Sequence, residues 1–331
     1  MSILVCGGAG YIGSHTVYEL IKQNKDVVIV DNLQSGHLKA VHPKAKFYQG
    51  DIRDAEFLDK VFTENNIEAV IHFAANSLVG ESMTKPLMYF NNNVYGMQVL
   101  LESMVKNNIK HIVFSSTAAV YGEPKKIPIL EDDETNPTNP YGETKLTMEK
   151  MMKWVSQANG ITFVSLRYFN AAGAIEDGSI GEDHSPESHL IPLILQVPLG
   201  KREAITVFGE DYDTPDGTCI RDYIHVLDLA DAHIKAVEYL QAGNASNIFN
   251  LGNGIGFSVK EMINSAKDAT KEDIKVVIGA RRAGDPARLI ASNEKARNIL
   301  GWVPKYTDVK DVINTAWGWH KSHPDGYGDR K

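Results

Sequence analysis

The first thirty-one residues constrain the fold of this chain more than any other stretch. Ile3-Leu-Val-Cys6 is a short apolar run that ends in Gly7-Gly-Ala-Gly10-Tyr11-Ile12-Gly13. A helical pattern follows, with Val17, Leu20 and Ile21 on one side, and then a second apolar run, Val27-Val-Ile-Val30, closed by Asp31. Apolar runs without polar alternation suit strands buried on both faces of a parallel sheet. Glycine allows a sharp turn and a close backbone approach, and the helix behind it offers free amides and a partial positive charge to an anion. Strand, glycine turn, helix, strand and acid in this order predict a pyrophosphate cradle at Gly7, Gly10, Tyr11, Ile12 and Gly13. Asp31 lies eighteen residues after Gly13, close to the spacing at which a carboxylate grips a ribose diol. A carboxylate there repels a 2′-phosphate, so the expected cofactor is NAD rather than NADP.

The alternation continues. Residues 46–50 read as a third strand, followed by Asp51 and Ile52; residues 69–73 as a fourth, ending at Phe73, Ala74 and Ala75. Residues 110–115 form a fifth, with Thr117 just beyond, and residues 161–166 a sixth, running on to Tyr168 and Asn170. Helical patterns cover 55–64, 94–107 and 142–157. Strands alternating with helices of this length predict an α/β fold, a Rossmann-type doubly wound parallel sheet. Ligands bind at the carboxyl ends of such strands, where these polar residues fall. Beyond Asn170, glycines, prolines and charges predict a smaller mixed α/β substrate-binding lobe. Residues 220–226 and 228–240 read as strand then helix, and 247–252 as another strand, all expected to return to the first lobe. The expected division is a dinucleotide domain of 1–170 with 222–252, and a substrate lobe of 171–221 and 253–331.

Tyr141 and Lys145 stand four residues apart, in a segment predicted to be helical, and so share one helix face. A tyrosine of ordinary pKa, about 10, is a poor base at neutral pH. A nearby ammonium favours phenolate and lowers that value. Thr117, at a strand end, can supply a hydroxyl to the same substrate oxygen. This trio can take a proton from an alcohol, which is half of a hydride transfer.

Apolar residues make up 43% of the 331, with no run near the roughly 20 residues that span a bilayer. No charged-then-apolar leader precedes Ile3, so a secretory signal is not expected. A net charge of −8 argues against a nucleic-acid platform. Two cysteines, Cys6 and Cys219, give no disulfide framework, which suits a reducing, cytoplasmic location. The acidic run 131–134 reads as a solvated loop. No metal site is expected: His184 and His189 lie in a Gly/Asp/Ser/Pro loop, His72 ends a strand, and none forms a recognised ligand set. His225, near Asp222, reads as a structural residue.

The glycine spacing, the Tyr141–Lys145 pair and Thr117 resemble the extended short-chain dehydrogenases/reductases. So do Val79-Gly-Glu-Ser82, Asn91-Asn-Asn-Val94, Val120-Tyr-Gly122, Leu166-Arg-Tyr-Phe-Asn170, Arg221-Asp-Tyr-Ile-His225 and Arg281-Arg-Ala-Gly-Asp285. The resemblance runs over nearly the whole chain and points to the nucleotide-sugar epimerases of that family. It implies an isomerase that interconverts UDP-galactose and UDP-glucose by transient oxidation at C4, with tightly bound NAD. Tyr141 would be the base, Lys145 would bind the nicotinamide ribose and Thr117 the sugar 4′-oxygen. Asp31 and Asn32 would hold the adenosine ribose, Asp51 and Ile52 the adenine, and Phe73, Ala74, Ala75, Asn92 and Tyr168 the rest of the dinucleotide. Asn170, His189, Leu190, Arg221, Arg282 and Asp285 would hold the uridine diphosphate. Leu289 would sit beside the sugar C2 substituent, where a mid-sized side chain admits UDP-N-acetylhexosamines as well. The resemblance also implies a homodimer through the helices of 94–107 and 142–157. Two positions depart from the family pattern: Ser77 stands where a lysine is frequent, and His189 where an asparagine is.

Two rivals share the fold. A nucleotide-sugar 4,6-dehydratase needs an acid and a base after the threonine, whereas Thr117 is followed by Ala118-Ala119. A decarboxylase of UDP-glucuronate shares much of the same pattern. A non-catalytic NAD-binding sensor, the reading from a different class, needs the glycine turn but not the tyrosine–lysine–threonine set.

Overall fold

A computed structural model describes residues 2–282 and 285–329. Seven parallel strands form the central sheet: β1 Ser2–Cys6, β2 Asp26–Asp31, β3 Lys46–Gln49, β4 Ile67–His72, β5 His111–Ser115, β6 Thr162–Arg167 and β7 Asn247–Asn250. Their order is β7-β6-β5-β4-β1-β2-β3, every neighbouring pair being parallel. The strand order reverses between β1 and β4, which opens a crevice at their carboxyl ends. There Phe73 and Ala74 both donate backbone N–H to the Cys6 carbonyl, at 2.8 and 3.1 Å.

The apolar runs are explained by burial on two sides. Ile3 and Val5 of β1 face a core with Val17 and Leu20 of the Tyr11–Lys22 helix and Leu229 and Val237 of the Val226–Gln241 helix. Leu4 and Cys6 face a second core with Leu58, Leu100 and Met148 from three other helices. The helix expected over 142–157 spans Pro140–Asn159. Asn139 caps it by accepting from the Gly142 N–H at 2.9 Å, and proline at its first position loses nothing there. Gly160, at φ 69°, ends it. The helix expected over 94–107 differs more. It spans Gly96–Lys106, and a π-helical turn, Phe90–Tyr95, precedes it. Such turns are rare and concentrate at functional sites.

Residues 220–252 divide between sheets. Strand β7 joins the central sheet, and the Val226–Gln241 helix packs on Tyr11–Lys22. The segment before that helix stays outside the sheet. Ile220–Arg221 pairs with Phe257–Ser258 and Arg288–Leu289, and Tyr223–His225 pairs with Asn170–Ala172. Buried Asp222 ties the arrangement together by accepting N–H groups from Asn253 and Ala291 at 2.8 and 3.2 Å. A third core lies on this side, from Ile191, Ile194, Val207, Met262 and Ile313. Among the described residues no helix is long and apolar enough to cross a membrane.

Candidate active site

A cleft of about 940 Å³ runs along the carboxyl ends of β1 to β6 and on to His184, His189, Arg282 and Leu289. Gly7, Gly10, Tyr11, Ile12, Gly13, Asp31, Asn32, Ile52, Phe73, Ala74, Ala75, Asn92, Thr117, Tyr141, Lys145 and Tyr168 all line it. So do Asn170, His189, Arg282, Asp285 and Leu289, and Ser77 as well. Asp51, Leu190 and Arg221 do not line it.

The glycine turn is built for close approach. Gly7 has φ +84°, and a Cβ there would lie 2.6 Å from the Ala74 nitrogen; a Cβ on Gly13 would lie 2.1 Å from the Gly7 oxygen. Asp31 closes β2 with its carboxylate accepting N–H groups from Ala9 at 3.0 Å and Leu33 at 2.8 Å. Burial pushes its pKa up, against those two donors. Next to it, Asn32 donates to Asp51 at 3.1 Å. Asp51 is clamped by Arg53 through two oxygens, at 2.8 and 2.6 Å, which holds its carboxyl well below the usual range. Asn92 sits in the π-helical turn and donates to Asn93 at 3.0 Å. Tight glycines, helix amides and an acid at the end of β2 in one crevice fit a dinucleotide.

At the end of β5, Thr117 caps a short 3-10 helix by accepting from the Ala119 N–H at 3.1 Å. Its side chain also acts on the Tyr141 phenol, favouring the charged form. Lys145, one helical turn after Tyr141, donates to the Ser115 carbonyl at 2.7 Å. Its Nζ lies 4.8 Å from the Phe114 ring centre and 5.9 Å from that of Tyr141. The electrostatics differ from the sequence expectation. Burial raises the Tyr141 pKa, the Thr117 side chain opposing it. Burial also brings Lys145 down to about 7, with Glu149 pulling the other way. Both charged forms are penalised by the same dry surroundings, so in the protein alone the lysine does not outweigh desolvation of the phenol.

Behind the trio lies a buried polar network that the sequence reading missed. Arg167 donates to Glu149 at 3.0 and 2.6 Å and to the Tyr121 hydroxyl at 2.8 Å; Ser116 donates to Glu149 at 2.6 Å, and Tyr121 to Asn250 at 2.7 Å. It joins the ends of β5, β6 and β7 to the helix that carries Tyr141. The signal available was Glu149 itself, a carboxylate on the same helix face as Lys145.

At the cleft's far end, Arg221 and Asp285 form an ion pair with each other, and Arg221 also donates to the Ile220 carbonyl at 2.7 Å. Arg282 stacks its guanidinium 4.0 Å from the Phe208 ring centre. Asn170 donates to the Asp222 carbonyl at 2.9 Å. Leu289 packs against the cluster of Tyr121, Ile129 and Leu146. Leu190 opens the Leu190–Leu195 helix and packs against the third core. Ala283 and Gly284 of the Arg281–Asp285 motif lie outside the described residues. His225 bonds Thr315 at 2.9 Å and accepts from the Leu227 N–H at 3.1 Å, a structural role. His189 turns its Nδ1 toward Glu187 and Glu182, with His184 alongside. Counting histidines alone hid this group; the spacing Glu182-x-His184-x-x-Glu187-x-His189 was the signal.

The sequence model of the NAD dependent epimerase/dehydratase family matches residues 3–252. The chain belongs to that family. A UDP-glucose 4-epimerase of Lacticaseibacillus casei is 59% identical over 330 residues, covering 100% of both chains. A solved UDP-glucose 4-epimerase structure superposes with a TM-score of 0.98 at 58% identity, covering 99% of each chain. The UDP-glucose 4-epimerase from Bifidobacterium longum, solved in complex with NAD+ and UDP, superposes with a TM-score of 0.92 at 41% identity, over 99% of this chain and 100% of that one. The family match ends near β7, while these relatives extend over the remaining residues, including Arg282, Asp285 and Leu289.

Proposed function

We propose that this chain is an isomerase that interconverts UDP-galactose and UDP-glucose in galactose metabolism, working on C4 of the hexose with a resident NAD. One observation carries the reading: Thr117, Tyr141 and Lys145 meet at the end of β5, in the same cleft as the glycine turn. The names of the relatives support it, as do the NAD+ and UDP of the B. longum structure.

The C4 hydrogen of a hexose is not acidic, so inversion needs oxidation and reduction at that carbon. NAD, when bound, supplies the hydride acceptor and donor. Tyr141 takes the proton of the 4′-hydroxyl and later returns it. Thr117 holds the same oxygen, and Lys145, when charged, stabilises the phenolate. Gly7, Gly10, Tyr11, Ile12 and Gly13 cradle the pyrophosphate; Asp31 and Asn32 grip the ribose; Asp51 and Ile52 bound the adenine; Phe73, Ala74, Ala75, Asn92 and Tyr168 complete that half. Arg221 and Arg282 take the substrate diphosphate, since a planar multi-donor cation suits it. Asp285 takes its ribose, and Asn170, His189 and Leu190 flank the same end. A tightly held nucleotide and a loosely held hexose let the planar 4-keto sugar present either face. Leu289 leaves room at C2 for an N-acetyl group.

The proposed division is a dinucleotide domain of 1–170 with 222–252 and a substrate lobe of 171–221 and 253–331, the return of β7 to the central sheet being its support. The proposed assembly is a homodimer through the helices at 94–107 and 142–157. Leu101, Val105, Met151 and Val155 line an apolar groove between those helices, which supports it. A cytoplasmic location suits the two free cysteines.

The test uses UDP-galactose carrying deuterium at C4, incubated with the protein as purified and no added reductant, and NMR of the products. UDP-glucose that retains the deuterium is the expected result. Loss of the label to water during inversion, or no turnover, rejects the reading. Elimination of water to a 4-keto-6-deoxy sugar would favour the dehydratase instead.

A further inference from the structure

Four side chains outside the proton-transfer trio converge in the segment that leads to the Leu190–Leu195 helix. Glu182, His184, Glu187 and His189 each present one ligating atom, and these atoms lie within 4.8 Å of one another. His189 Nδ1 is 2.8 Å from a Glu187 oxygen and 3.0 Å from a Glu182 oxygen; His184 Nδ1 is 3.2 Å from the same Glu182 oxygen and 3.7 Å from the second Glu187 oxygen. Around an ion with bonds of about 2.0–2.1 Å, tetrahedral ligands stand about 3.3 Å apart. The four nitrogen–oxygen separations bracket that length.

The surroundings point the same way. Glu182 is only 5% exposed. The Nδ1 of His184 is buried and makes no hydrogen bond, although a carboxylate oxygen lies 3.2 Å away. The N–H groups of Ser188 and His189 each donate to Glu187 at 2.7 Å, which fixes that carboxylate in place, as outer partners fix metal ligands. Two buried carboxylates need two positive charges beside them. One dication with two neutral imidazoles satisfies that requirement with a single ion.

We propose that Glu182, His184, Glu187 and His189 form a binding site for a divalent transition-metal ion, for which zinc is the best fit. Carboxylates alone would select magnesium or calcium; two imidazoles move the preference to zinc. Four protein ligands close the coordination shell, as in structural rather than catalytic sites. The ion pins residues 182–189 against the cleft wall, where Glu182, His184 and His189 all face the cavity. It takes no part in the proton or hydride steps, and it shares His189 with the diphosphate end of the proposed substrate site.

The full-length protein, freed of metal by a chelator and exchanged into metal-free buffer, is titrated with Co2+. One equivalent per chain should produce the intense visible bands of tetrahedral cobalt, and Zn2+ should abolish them. Thermal unfolding of the same sample should move upward on adding one equivalent of Zn2+. Loss of an outer partner costs metal affinity about 10- to 100-fold, so Glu187→Gln and His184→Gln, which remove ligands, should each lose more than about 100-fold. Binding that survives in both variants places the ion elsewhere and overturns the proposal. If neither variant folds, the wild-type cobalt spectrum decides alone. Absence of saturable binding, or weak octahedral bands only, also overturns it and leaves the cluster as two carboxylate–imidazolium pairs.

Discussion

Tyr141 is the residue on which the proposed chemistry turns. A positioned general base contributes typically 10²- to 10⁴-fold, so Tyr141→Phe should lower kcat by roughly 10³-fold. The steady-state rate on UDP-galactose measures this, with bound dinucleotide quantified to show that the cradle at Gly7–Gly13 is intact. Lys145 makes a different prediction because its pKa falls from 10.5 to about 7 in the folded chain. Between those values the unfolded chain holds a proton that the folded chain lacks. Stability of the dinucleotide-free protein should therefore rise as pH goes from about 7 to about 10, by at most ~1.4 kcal/mol per unit. Urea unfolding at the two ends of that window should show the rise in wild type, and Lys145→Met should flatten it. On the proposed role of Leu289 beside the sugar C2, Leu289→Tyr should suppress turnover of UDP-N-acetylgalactosamine while sparing UDP-galactose, with product NMR on both substrates as the measure. That Tyr141 and Lys145 stand side by side was legible in the sequence, because residues four apart on a helix share a face whatever else happens. The electrostatics of the pair were not, since desolvation depends on what surrounds each side chain, and Phe114 and Ser115 meet Lys145 only after folding.

Among elements, the Pro140–Asn159 helix ties chemistry to stability. It carries Tyr141 and Lys145, and one turn later Glu149, which is 5% exposed and paired with Arg167 of β6. Removing one charge of a buried pair leaves the other uncompensated, at a cost of about 3–5 kcal/mol. Glu149→Gln should destabilise the protein by that order in chemical denaturation. Asn139→Ala, which removes only the helix cap, should cost about 1 kcal/mol. Strand positions were readable because burial on two faces leaves uninterrupted apolar runs, as in β1, β2 and β4. The π-helical turn at Phe90–Tyr95 was not, because its extra residue per turn leaves no separate apolar period. The excursion of Ile220–His225 to the smaller sheets was also hidden. Its partners, Phe257–Ser258, Arg288–Leu289 and Asn170–Ala172, are remote in sequence, and a two- or three-residue strand carries almost no pattern of its own.

For the molecule as a whole, the apolar groove between the helices at 94–107 and 142–157 matters most. Trp154, on the second of these helices, is 68% exposed. If two copies meet there, Trp154→Glu should shift the protein from dimer to monomer in light scattering, with the NAD content unchanged; a wild-type monomer would remove the proposed assembly. The same scale separates what each source of information supplied. Local order, from the glycine turn and Asp31 to the spacing of Tyr141 and Lys145, was determined by the sequence itself. Backbone sterics, helix periodicity and two-sided burial act over a few residues and need no distant partner. Tertiary structure alone decided how segments far apart in the chain meet: Arg167 on Glu149, Arg221 on Asp285, β7 beside β6, and two glutamates folded around two histidines at 182–189. Those outcomes depend on which charges are left without water, and that is settled only when the layers close over them.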